Sequence, residues 1–390
     1  MTSFAQLWAE IADIGRDPAG GYLRYALSEP ERALRDWFRR QAGQRDMPVT
    51  EDGNGNLFAW WGSPEGAGAV LTGSHFDSVP HGGGYDGPLG IVSAFLAVDR
   101  LRSTGKESAR PLAVAAFVEE EGSRFGVACL GSRLLTGAID ADRAGALRDR
   151  DGIAFADALG ARPAGALPDL GARFSAAIEL HIEQGRALEV PVGVAGAIWP
   201  HGRWRFDFRG DADHAGTTRM ADRHDPMLTY AYTVLAANKE ARLSGAHATM
   251  ARMAVEPNAT NAIPSLVSGW LDARAADRQT LDRLVEAVVK RAVERAGRDG
   301  THVEVEPESV SPEVTFDPAL AARIARLLGG APVLPTGAGH DAGVLSAHVP
   351  TAMLFVRNPT GVSHSPAEHA TDADCEAGIA ALVRVLGDLL

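Results

Sequence analysis

Histidines and acidic residues stand directly after apolar, strand-like segments of this sequence, where they could bind metal ions. His75 and Asp77 follow the segment Ala69–Thr72, and three adjacent glutamates, Glu119–Glu121, follow Leu112–Val118. A carboxylate two residues after a histidine can hold the imidazole through its second nitrogen, as metal-binding histidines require. Neighbouring carboxylates repel one another unless a cation neutralises them. The ordinary alternatives are a loop histidine with a solvated aspartate and a solvated acidic loop.

Two further histidines and an aspartate lie in glycine-rich or strand-end segments elsewhere in the chain. They are Asp86 within Gly82–Gly90, His181 within Glu179–Gly185, and His364 within Val362–Glu368. Taken singly, Asp86 is more simply a helix N-cap, and both histidines are more simply structural residues. Together with His75, however, three histidines and at least two carboxylates match the ligand set of a two-metal hydrolase site.

Signatures of other enzyme classes are absent from the sequence or incomplete. There is no Gly-x-Ser-x-Gly turn for a serine nucleophile and no Gly-x-x-x-x-Gly-Lys-[Ser/Thr] loop for phosphates. The glycine-rich segment Gly337–Asp341 lacks the full dinucleotide-binding spacing. Pyridoxal and Schiff-base chemistry each need a dedicated lysine, and the only lysines are Lys106, Lys239 and Lys290. The sequence therefore favours a metal-dependent enzyme over these classes.

Composition indicates a globular protein of two domains. The chain has 390 residues, of which 45% are hydrophobic and 23% charged, and its longest apolar stretches, such as Pro111–Val118, are too short to span a membrane. A net charge of −12 disfavours nucleic acid and anionic membranes as partners. Two cysteines, Cys129 and Cys375, exclude a disulfide framework. Met1–Arg16 lacks a basic start followed by an apolar run, so we expect no signal peptide and a cytoplasmic location.

The elements that must position these residues alternate between strand and helix patterns. Short apolar runs at Leu57–Trp61, Ala69–Thr72 and Leu112–Val118 predict strands, and the small-residue segment Gly90–Leu101 predicts a helix between the last two. This alternation is typical of an α/β domain with a mixed, mainly parallel sheet. Polar side chains after such strands meet at the carboxyl edge of the sheet.

The pattern changes near Pro200. Aromatic and charged residues alternate along Arg203–Arg209, as in a half-exposed strand, and a long amphipathic helix is predicted at Asp277–Ala296. The order βαββαβ predicts a small ferredoxin-like α+β insert within the α/β domain. We therefore expect a catalytic domain at residues 1–201 and 309–390 and an inserted dimerisation or lid domain at residues 202–308, which would form a homodimer.

The motifs, taken in order, resemble those of the M20 metallopeptidase-like family, in its amidase and hydantoinase/carbamoylase branch. That branch contains N-carbamoyl-L-amino-acid hydrolases, allantoate amidohydrolases and β-ureidopropionases. The resemblance extends from about Ile14 to the C-terminus and implies a zinc-aminopeptidase-like catalytic domain. The segments that carry it are Gly73–Asp77, Asp86-Gly87, Glu119–Phe125, His181–Gly185, His214–Gly216, Asn258–Pro264, Gly339–Ala342 and Ser363-His364.

The resemblance implies two divalent metal ions per subunit, held by five residues. One ion would be bound by His75, Asp86 and His181, and the other by Asp86, Glu121 and His364, so that Asp86 bridges the pair. Oxygen and nitrogen ligands without thiolate suit zinc or manganese, and also cobalt or nickel. By the same resemblance Glu120 would be the general base that activates water, and Asp77 would orient His75.

The resemblance also assigns residues to the substrate. His214 would stabilise the developing oxyanion, reaching across a dimer into the partner's site, and Gln184, Asn261 and His340 would contact the substrate. Arg274 would bind a substrate carboxylate through its planar fork, although an ion pair with Asp272 or Asp277 explains this arginine equally well. The resemblance gives no role to His201, Arg203 and Arg205.

The expected function is hydrolysis of a ureido (N-carbamoyl) amide on a small carboxylate-bearing substrate. Allantoate and N-carbamoyl-L-amino acids both fit, and the sequence does not choose between them. A dipeptidase or aminoacylase on the same scaffold is the alternative enzyme. A non-catalytic binding protein would be expected to have lost ligands, whereas all five candidate ligands and Glu120 are present.

Overall fold

The computed structural model describes residues 2–105 and 108–390, so Lys106 lies outside the described part of the chain. Internal contacts divide the chain into a large unit, Met1–Ala197 with Thr315–Leu390, and an inserted unit, Ile198–Val314. The expected junctions were at residues 201/202 and 308/309. The inserted unit is wider because its first strand already begins at His201 and its last strand continues to Ser311.

The strands are numbered in chain order. Before the insert they are β1 (Val49–Glu51), β2 (Leu57–Trp61), β3 (Ala69–His75), β4 (Leu112–Phe117), β5 (Phe174–Ile182) and β6 (Val192–Ile198). The next six are β7 (His201–Arg209), β8 (Asp213–His214), β9 (His247–Glu256), β10 (Ala262–Ile263), β11 (Leu266–Arg274) and β12 (His302–Ser311). The chain then forms β13 (Val314–Thr315), β14 (Val333–Thr336) and β15 (Thr351–Val356).

The helices lie mostly in the large unit. Those before the insert are α1 (Phe4–Ala9), α2 (Glu29–Gly43), α3 (Pro88–Ser103), α4 (Leu130–Thr136), α5 (Ala141–Gly145), α6 (Phe155–Leu159) and α7 (Leu170–Arg173). The insert contributes α8 (Pro226–Ser244) and α9 (Arg278–Asp299), and the last segment contributes α10 (Pro318–Leu327), α11 (Asp341–Leu345) and α12 (Asp372–Leu389). No helix in the described ranges is both long and apolar enough to cross a membrane.

The large unit is built on a mixed sheet with a parallel centre, which confirms the expected α/β class. Its strand order is β1-β2-β4-β3-β5-β15-β6-β13, with β14 paired to β6. The adjacent pairs among β4, β3, β5 and β15 are parallel, while β1–β2, β2–β4 and β15–β6 are antiparallel. Strands β3, β4 and β15 are buried throughout because helices cover both faces of the sheet. The carboxyl ends of the parallel strands consequently lie at one edge.

The inserted unit is an antiparallel sheet in the order β12-β7-β11-β9 with α8 and α9 packed on it. Its chain order, β7-α8-β9-β11-α9-β12, is the expected βαββαβ arrangement. The alternation along β7 buries Trp204, Phe206 and Phe208 in a core that they share with Tyr230 of α8 and Leu284 of α9. Burying that one face gives the insert a hydrophobic core of its own.

Candidate metal and active site

The predicted metal ligands of the large unit meet at the carboxyl edge of its sheet. His75 is the last residue of β3, His181 is the penultimate residue of β5, and both side chains are buried. Glu120 and Glu121 follow β4, and His364 lies in the loop after β15. The parallel arrangement of these four strands explains how residues so distant in sequence come together.

Asp86 forms the first candidate ligand group with His75 and His181. Its Oδ1 atom lies 3.1 Å from Nε2 of His181 and 3.5 Å from Nε2 of His75. The other ring nitrogen orients each imidazole. Nδ1 of His75 lies 3.0 Å from the main-chain oxygen of Asp77, and Nδ1 of His181 lies 2.9 Å from the main-chain oxygen of Ile182. Because Nδ1 is turned to a main-chain oxygen, Nε2 of each ring faces the carboxylate, where the neutral ring would offer its lone pair to a cation.

Asp86 also belongs to a second ligand group, with Glu121 and His364. The Oδ2 atom of Asp86 lies 3.4 Å from Nε2 of His364, and the same Nε2 atom lies 3.3 Å from Oε2 of Glu121. In each of the two groups one ligand atom per residue lies within 4.8 Å of the others. The structure thus brings together all five predicted ligands, with Asp86 between the two groups.

The donor set fits two divalent cations. The buried Nε2 atoms of His75 and His181 have no hydrogen-bond partner of acceptable geometry within residues 2–105 and 108–390, although both face Asp86. Two acceptors at this distance are compatible with a cation between them. Burial alone would raise the pKa of Asp86, but His181 and His75 outweigh it and hold that pKa well below its usual value. Asp86 is therefore ionised and able to bridge.

Glu120 lies beside the first group, with one carboxylate oxygen near His75 and the other near Cys129. Its Oε2 atom is 3.8 Å from Nε2 of His75, and its Oε1 atom accepts a hydrogen bond from Sγ of Cys129 at 3.3 Å. Burial raises the pKa of Glu120 well above its usual value, with His75 opposing the shift and Asp341 adding to it. A carboxylate with a raised pKa beside a metal centre is suited to taking up and releasing a proton.

Asp77 holds the glutamate loop in place. Its carboxylate accepts the N–H groups of Glu120 and Glu121 at 3.1 and 3.0 Å. Its Oδ1 atom remains 3.6 Å from Nδ1 of His75, so the His75 ring is oriented mainly by the main-chain oxygen of Asp77. Asp77 therefore contacts His75 as expected, but through its main-chain oxygen more closely than through its carboxylate.

The glycine turn before α3 gives Asp86 its direction. The helix begins at Pro88 with Gly87 at the N-cap, so Asp86 is not the capping residue. Gly87 has φ +84°, and a Cβ there would lie 2.6 Å from the His75 ring. Only glycine therefore allows the turn to pass this close to the histidine while its neighbour faces the cluster.

Two predicted substrate residues lie next to the ligands. Nε2 of Gln184 donates to Oδ2 of Asp86 at 2.8 Å, and the His340 ring centroid is 4.5 Å from that of His181. Burial lowers the pKa of His340 well below its usual value, and His181 adds to the effect. His340 is therefore neutral and can donate or accept a hydrogen bond in the cluster.

The remaining predicted substrate residues belong to the inserted unit. His214 and Asn261 are exposed where β8 pairs with β10, and the N–H of Ala215 donates to the Asn261 main-chain oxygen at 3.0 Å. Arg274 ends β11, and its Nε donates to Asp272 at 3.0 Å, so the ion pair considered as an alternative is present.

The three residues left without a role lie together on β7. Nδ1 of His201 is 3.1 Å from the Trp199 main-chain oxygen, Arg203 pairs with Asp272 at 3.5 Å, and Arg205 pairs with Asp207 at 2.7 Å.

Sequence reasoning missed three buried residues at the cluster. Glu179 accepts the Ser74 hydroxyl and the Ala342 N–H, both at 2.9 Å, and forms a further ligand-like group with His181 and His340. Its signal was present, because it stands two residues before His181 on the same face of β5. Cys129 gave no signal, since nothing in its local sequence links it to Glu120. Glu368 stood within a quoted motif, but its contacts are with the distant Asp86 turn.

Comparison with known proteins places this geometry in a family. A profile of peptidase family M20/M25/M40 matches residues 71–388. The chain is 36% identical to the N-carbamoyl-L-amino acid amidohydrolase of Geobacillus stearothermophilus, over 100% of this chain and 99% of that relative. It is 29% identical to the allantoate amidohydrolase of Escherichia coli (strain K12), again over 100% of this chain and 99% of that relative.

Solved structures agree with the sequence comparison. An amidase of the hydantoinase/carbamoylase family from Burkholderia vietnamiensis superposes with a TM-score of 0.89 at 32% sequence identity, over 99% of this chain and 97% of that one. Both the matched family and the matched fold extend across the residues that form the cluster around Asp86. The chain therefore belongs to peptidase family M20/M25/M40, in its hydantoinase/carbamoylase amidase branch, and is a metal-dependent amidohydrolase of that branch.

Proposed function

We propose that this enzyme hydrolyses the ureido (N-carbamoyl) C–N bond of a small substrate that carries a carboxylate, of the N-carbamoyl-L-amino-acid or allantoate type. The products are ammonia, carbon dioxide and the freed amine compound. The observation that carries the proposal is the position of Asp86 between two histidine–carboxylate groups, with the buried Glu120 beside them. The two relatives compared above are named for activities on the same class of substrate, which supports the proposal.

The large unit supplies the metal ligands and the base. One divalent ion would be held by His75, Asp86 and His181, and the other by Asp86, Glu121 and His364. Zinc and manganese are the metals that we expect first at these sites. Such a pair supplies Lewis acidity, which polarises the scissile carbonyl and makes water a better nucleophile at neutral pH. Glu120 accepts the proton of the attacking water and passes it to the leaving nitrogen, a role that its raised pKa supports.

Substrate recognition needs a cation for the carboxylate and polar groups for the ureido moiety. Arg274 offers a planar guanidinium, already held by Asp272, that suits a carboxylate. Gln184 and Asn261 offer amide groups to the ureido nitrogen and oxygen, and His340 lies beside the ligands as a neutral donor. His214 would stabilise the developing oxyanion as a donor from the inserted unit.

A substrate panel with metal-loaded protein tests the proposal. We expect N-carbamoyl-L-amino acids or allantoate to be hydrolysed with release of ammonia, and dipeptides and N-acyl amino acids to be turned over far more slowly. Metal analysis of protein purified without chelator should give two ions per chain. Faster turnover of dipeptides would favour the peptidase alternative. Full metal content without turnover of any panel member would favour a binding protein.

We also propose that the enzyme is a homodimer formed through the inserted unit. The support is a row of exposed apolar residues along α8, namely Leu228, Tyr232, Leu235 and Leu243. Large exposed apolar surfaces on soluble proteins mark association sites. Light scattering should give twice the chain mass for the native protein, and Leu235→Arg with Leu243→Arg should give the monomer mass. A dimer that survives both substitutions would place the interface elsewhere.

Mixing two inactive variants tests whether His214 serves the partner's site. His214→Ala and Glu120→Gln homodimers should each be nearly inactive, while mixed dimers regain one complete site. Activity should therefore return after the two proteins exchange subunits. If tagged subunits exchange and no activity returns, His214 acts within its own chain or has no catalytic role.

A further inference from the structure

We propose that Glu368 is a positioning residue that joins the turn carrying Asp86 to the loop carrying His364, so that the two metal sites form together. The inference rests on the proposed two-metal function and concerns how this chain builds the site. Glu368 is buried, with 5% of its surface exposed, and belongs to none of the ligand-like groups in the described ranges. Its effect on bound metal is consequently indirect.

One oxygen of Glu368 holds the Asp86 turn. Its Oε1 atom accepts the N–H groups of Tyr85 and Asp86, both at 3.0 Å. Hydrogen bonds from a backbone N–H to a carboxylate are among the stronger ones in proteins. They fix the main chain at the residue whose side chain is shared by both ligand groups. The carboxylate of Glu368 therefore fixes the main-chain position from which the Asp86 side chain extends.

The other oxygen holds the His364 loop. The hydroxyl of Ser363 lies 3.2 Å from Oε2 of Glu368 and 3.4 Å from Oδ2 of Asp86, and the N–H of Glu368 donates to the Ser365 main-chain oxygen at 3.0 Å. His364 itself has φ +55°, in the left-handed region that non-glycine residues rarely adopt. A strained turn of this kind persists only where neighbouring contacts hold it. Glu368 supplies two of them, one from its carboxylate to Ser363 and one from its main-chain N–H to Ser365.

Gly83 makes room for this connection. A Cβ at Gly83 would lie 2.2 Å from Oε1 of Glu368, although the residue does not have a positive φ. Alanine at this position would therefore be tolerated by the backbone but would push the carboxylate away from the Asp86 turn. A substitution that alters no charge and no ligand can thus break the same connection.

The test measures metal affinity directly, with Zn²⁺ or Mn²⁺ titrated into chelator-treated protein in competition with a chromophoric chelator. Glu368→Ala should weaken binding at both sites by about 10–100-fold, the usual effect of removing a residue that orients metal ligands. Glu368→Gln should stay within about threefold, because its carbonyl can accept the same two N–H groups while its amide donates to Ser363. Gly83→Ala should reproduce the loss seen with Glu368→Ala.

Two matched controls separate positioning from general damage. Gly82→Ala adds the same methyl group one residue earlier, where the nearest atoms belong to Val79 at 3.0 Å. Glu183→Ala removes a buried carboxylate that also accepts backbone N–H groups, those of Ala187 and Leu188. Both should keep the native metal affinity. If either control lost affinity as strongly as its partner variant, the specific role of Glu368 would be overturned.

The outcomes distinguish this inference from the proposed function. Native protein that binds fewer than two ions contradicts the two-metal function itself. Native protein that binds two ions, together with Glu368→Ala and Gly83→Ala variants of unchanged affinity, contradicts only the role of Glu368. Loss confined to one site contradicts the coupling, and a Glu368→Gln variant as weak as Glu368→Ala shows that charge, rather than position, is what Glu368 provides. Should Glu368→Ala fail to fold, Gly83→Ala and Glu368→Gln still decide the question.

Discussion

Glu120 and Glu121 are adjacent in the chain but face different partners. Glu121 approaches His364, whereas Glu120 lies between His75 and the Cys129 thiol. Glu120→Gln should therefore keep both metal ions and reduce turnover by about 10²–10⁴-fold, since the amide cannot carry the proton. Glu121→Gln is the matched comparison and should lose metal. Metal analysis and steady-state kinetics on both variants check this, and loss of metal from Glu120→Gln would make Glu120 a ligand.

The two cysteines should be inert in the folded protein. Burial raises the pKa of the Cys129 thiol well above its usual value, with Glu120 adding to the shift, and burial also raises the pKa of Cys375. Only the thiolate is reactive, so raising the pH through the ordinary cysteine pKa of about 8.5 should not expose either thiol to an alkylating reagent. Mass spectrometry should find both labelled only after unfolding. Rapid labelling of native Cys129 would contradict the buried Cys129–Glu120 contact.

Individual residues were predictable where their chemistry is local. His75, Asp86 and His364 stand in short polar motifs next to glycine or strand ends. Taken singly, Asp86 and His364 are more simply structural residues, and only the combined set of motifs indicates a metal site. Glu368 was not predictable, because it acts through hydrogen bonds to a segment 282 residues away in the chain. Cys129 lies only nine residues from Glu120, but no motif in the sequence marks it. The sequence predicts which groups can bind a metal better than it predicts what holds those groups in place.

Helix α4 fixes the loop that carries the glutamates. The first N–H groups at its start, those of Cys129, Leu130 and Gly131, donate to the main-chain oxygens of Glu120, Glu119 and Val118 at 2.6, 3.0 and 2.9 Å. These are the donors that a helix cannot satisfy internally. The loop and the helix therefore complete each other's backbone hydrogen bonds, which holds the base beside the ligands without any contribution from bound metal.

The turn before α3 offers a test at the level of an element. Gly87→Ala should destabilise the protein by on the order of 1–3 kcal/mol from backbone strain and should also weaken metal binding, because the new methyl group meets the His75 ring at 2.6 Å. Gly152→Ala is the control, since Gly152 has a similar φ of +80° but nothing within 4 Å of the added Cβ. Denaturant unfolding and metal titration would separate the two effects. Equal metal affinity in both variants would contradict the packing argument.

Elements with a clear period were predicted well. Strand β2 has the expected bounds, and α9 extends only a few residues beyond the predicted helix. Strand β6, with the sequence VGVAGAI, was not predicted because glycines and alanines, which are depleted in strands, separate its valines and isoleucine. It is paired with β15 in the sheet, so tertiary contacts decide its conformation.

At the level of the whole molecule, bound metal should contribute strongly to stability. The ligands come from positions 75 to 364, and an ion that binds only the folded chain stabilises it by about 2.7 kcal/mol at a concentration of 100 Kd. Chelator treatment should lower the melting temperature, and added Zn²⁺ or Mn²⁺ should restore it. Glu120→Gln should respond like the native chain, while His181→Ala should not. An unchanged melting temperature after complete metal removal would contradict a structural contribution from the ions.

The insertion itself was predictable because the alternation changes near Pro200, and the M20/M25/M40 match supports the same architecture. The junctions were less predictable. Strand β7 already begins at His201, and β12 runs on to Ser311 through residues such as Glu306 and Glu308, which have no apolar alternation. A strand at the edge of a sheet, exposed along most of its length, carries little hydrophobic signal in sequence.

The position of β15 between β5 and β6 has a consequence for synthesis on the ribosome. Roughly 170 residues separate the end of β5 from the start of β15, and the whole inserted unit is made in between. At translation rates of about 5–20 residues per second, that gap lasts roughly ten to thirty seconds. During this interval the edges of β5 and β6 that later pair with β15 lack that partner, and unpaired strand edges are prone to aggregate. We expect the nascent chain to depend on chaperones until β15 closes the sheet, and expression level to be limited at this step.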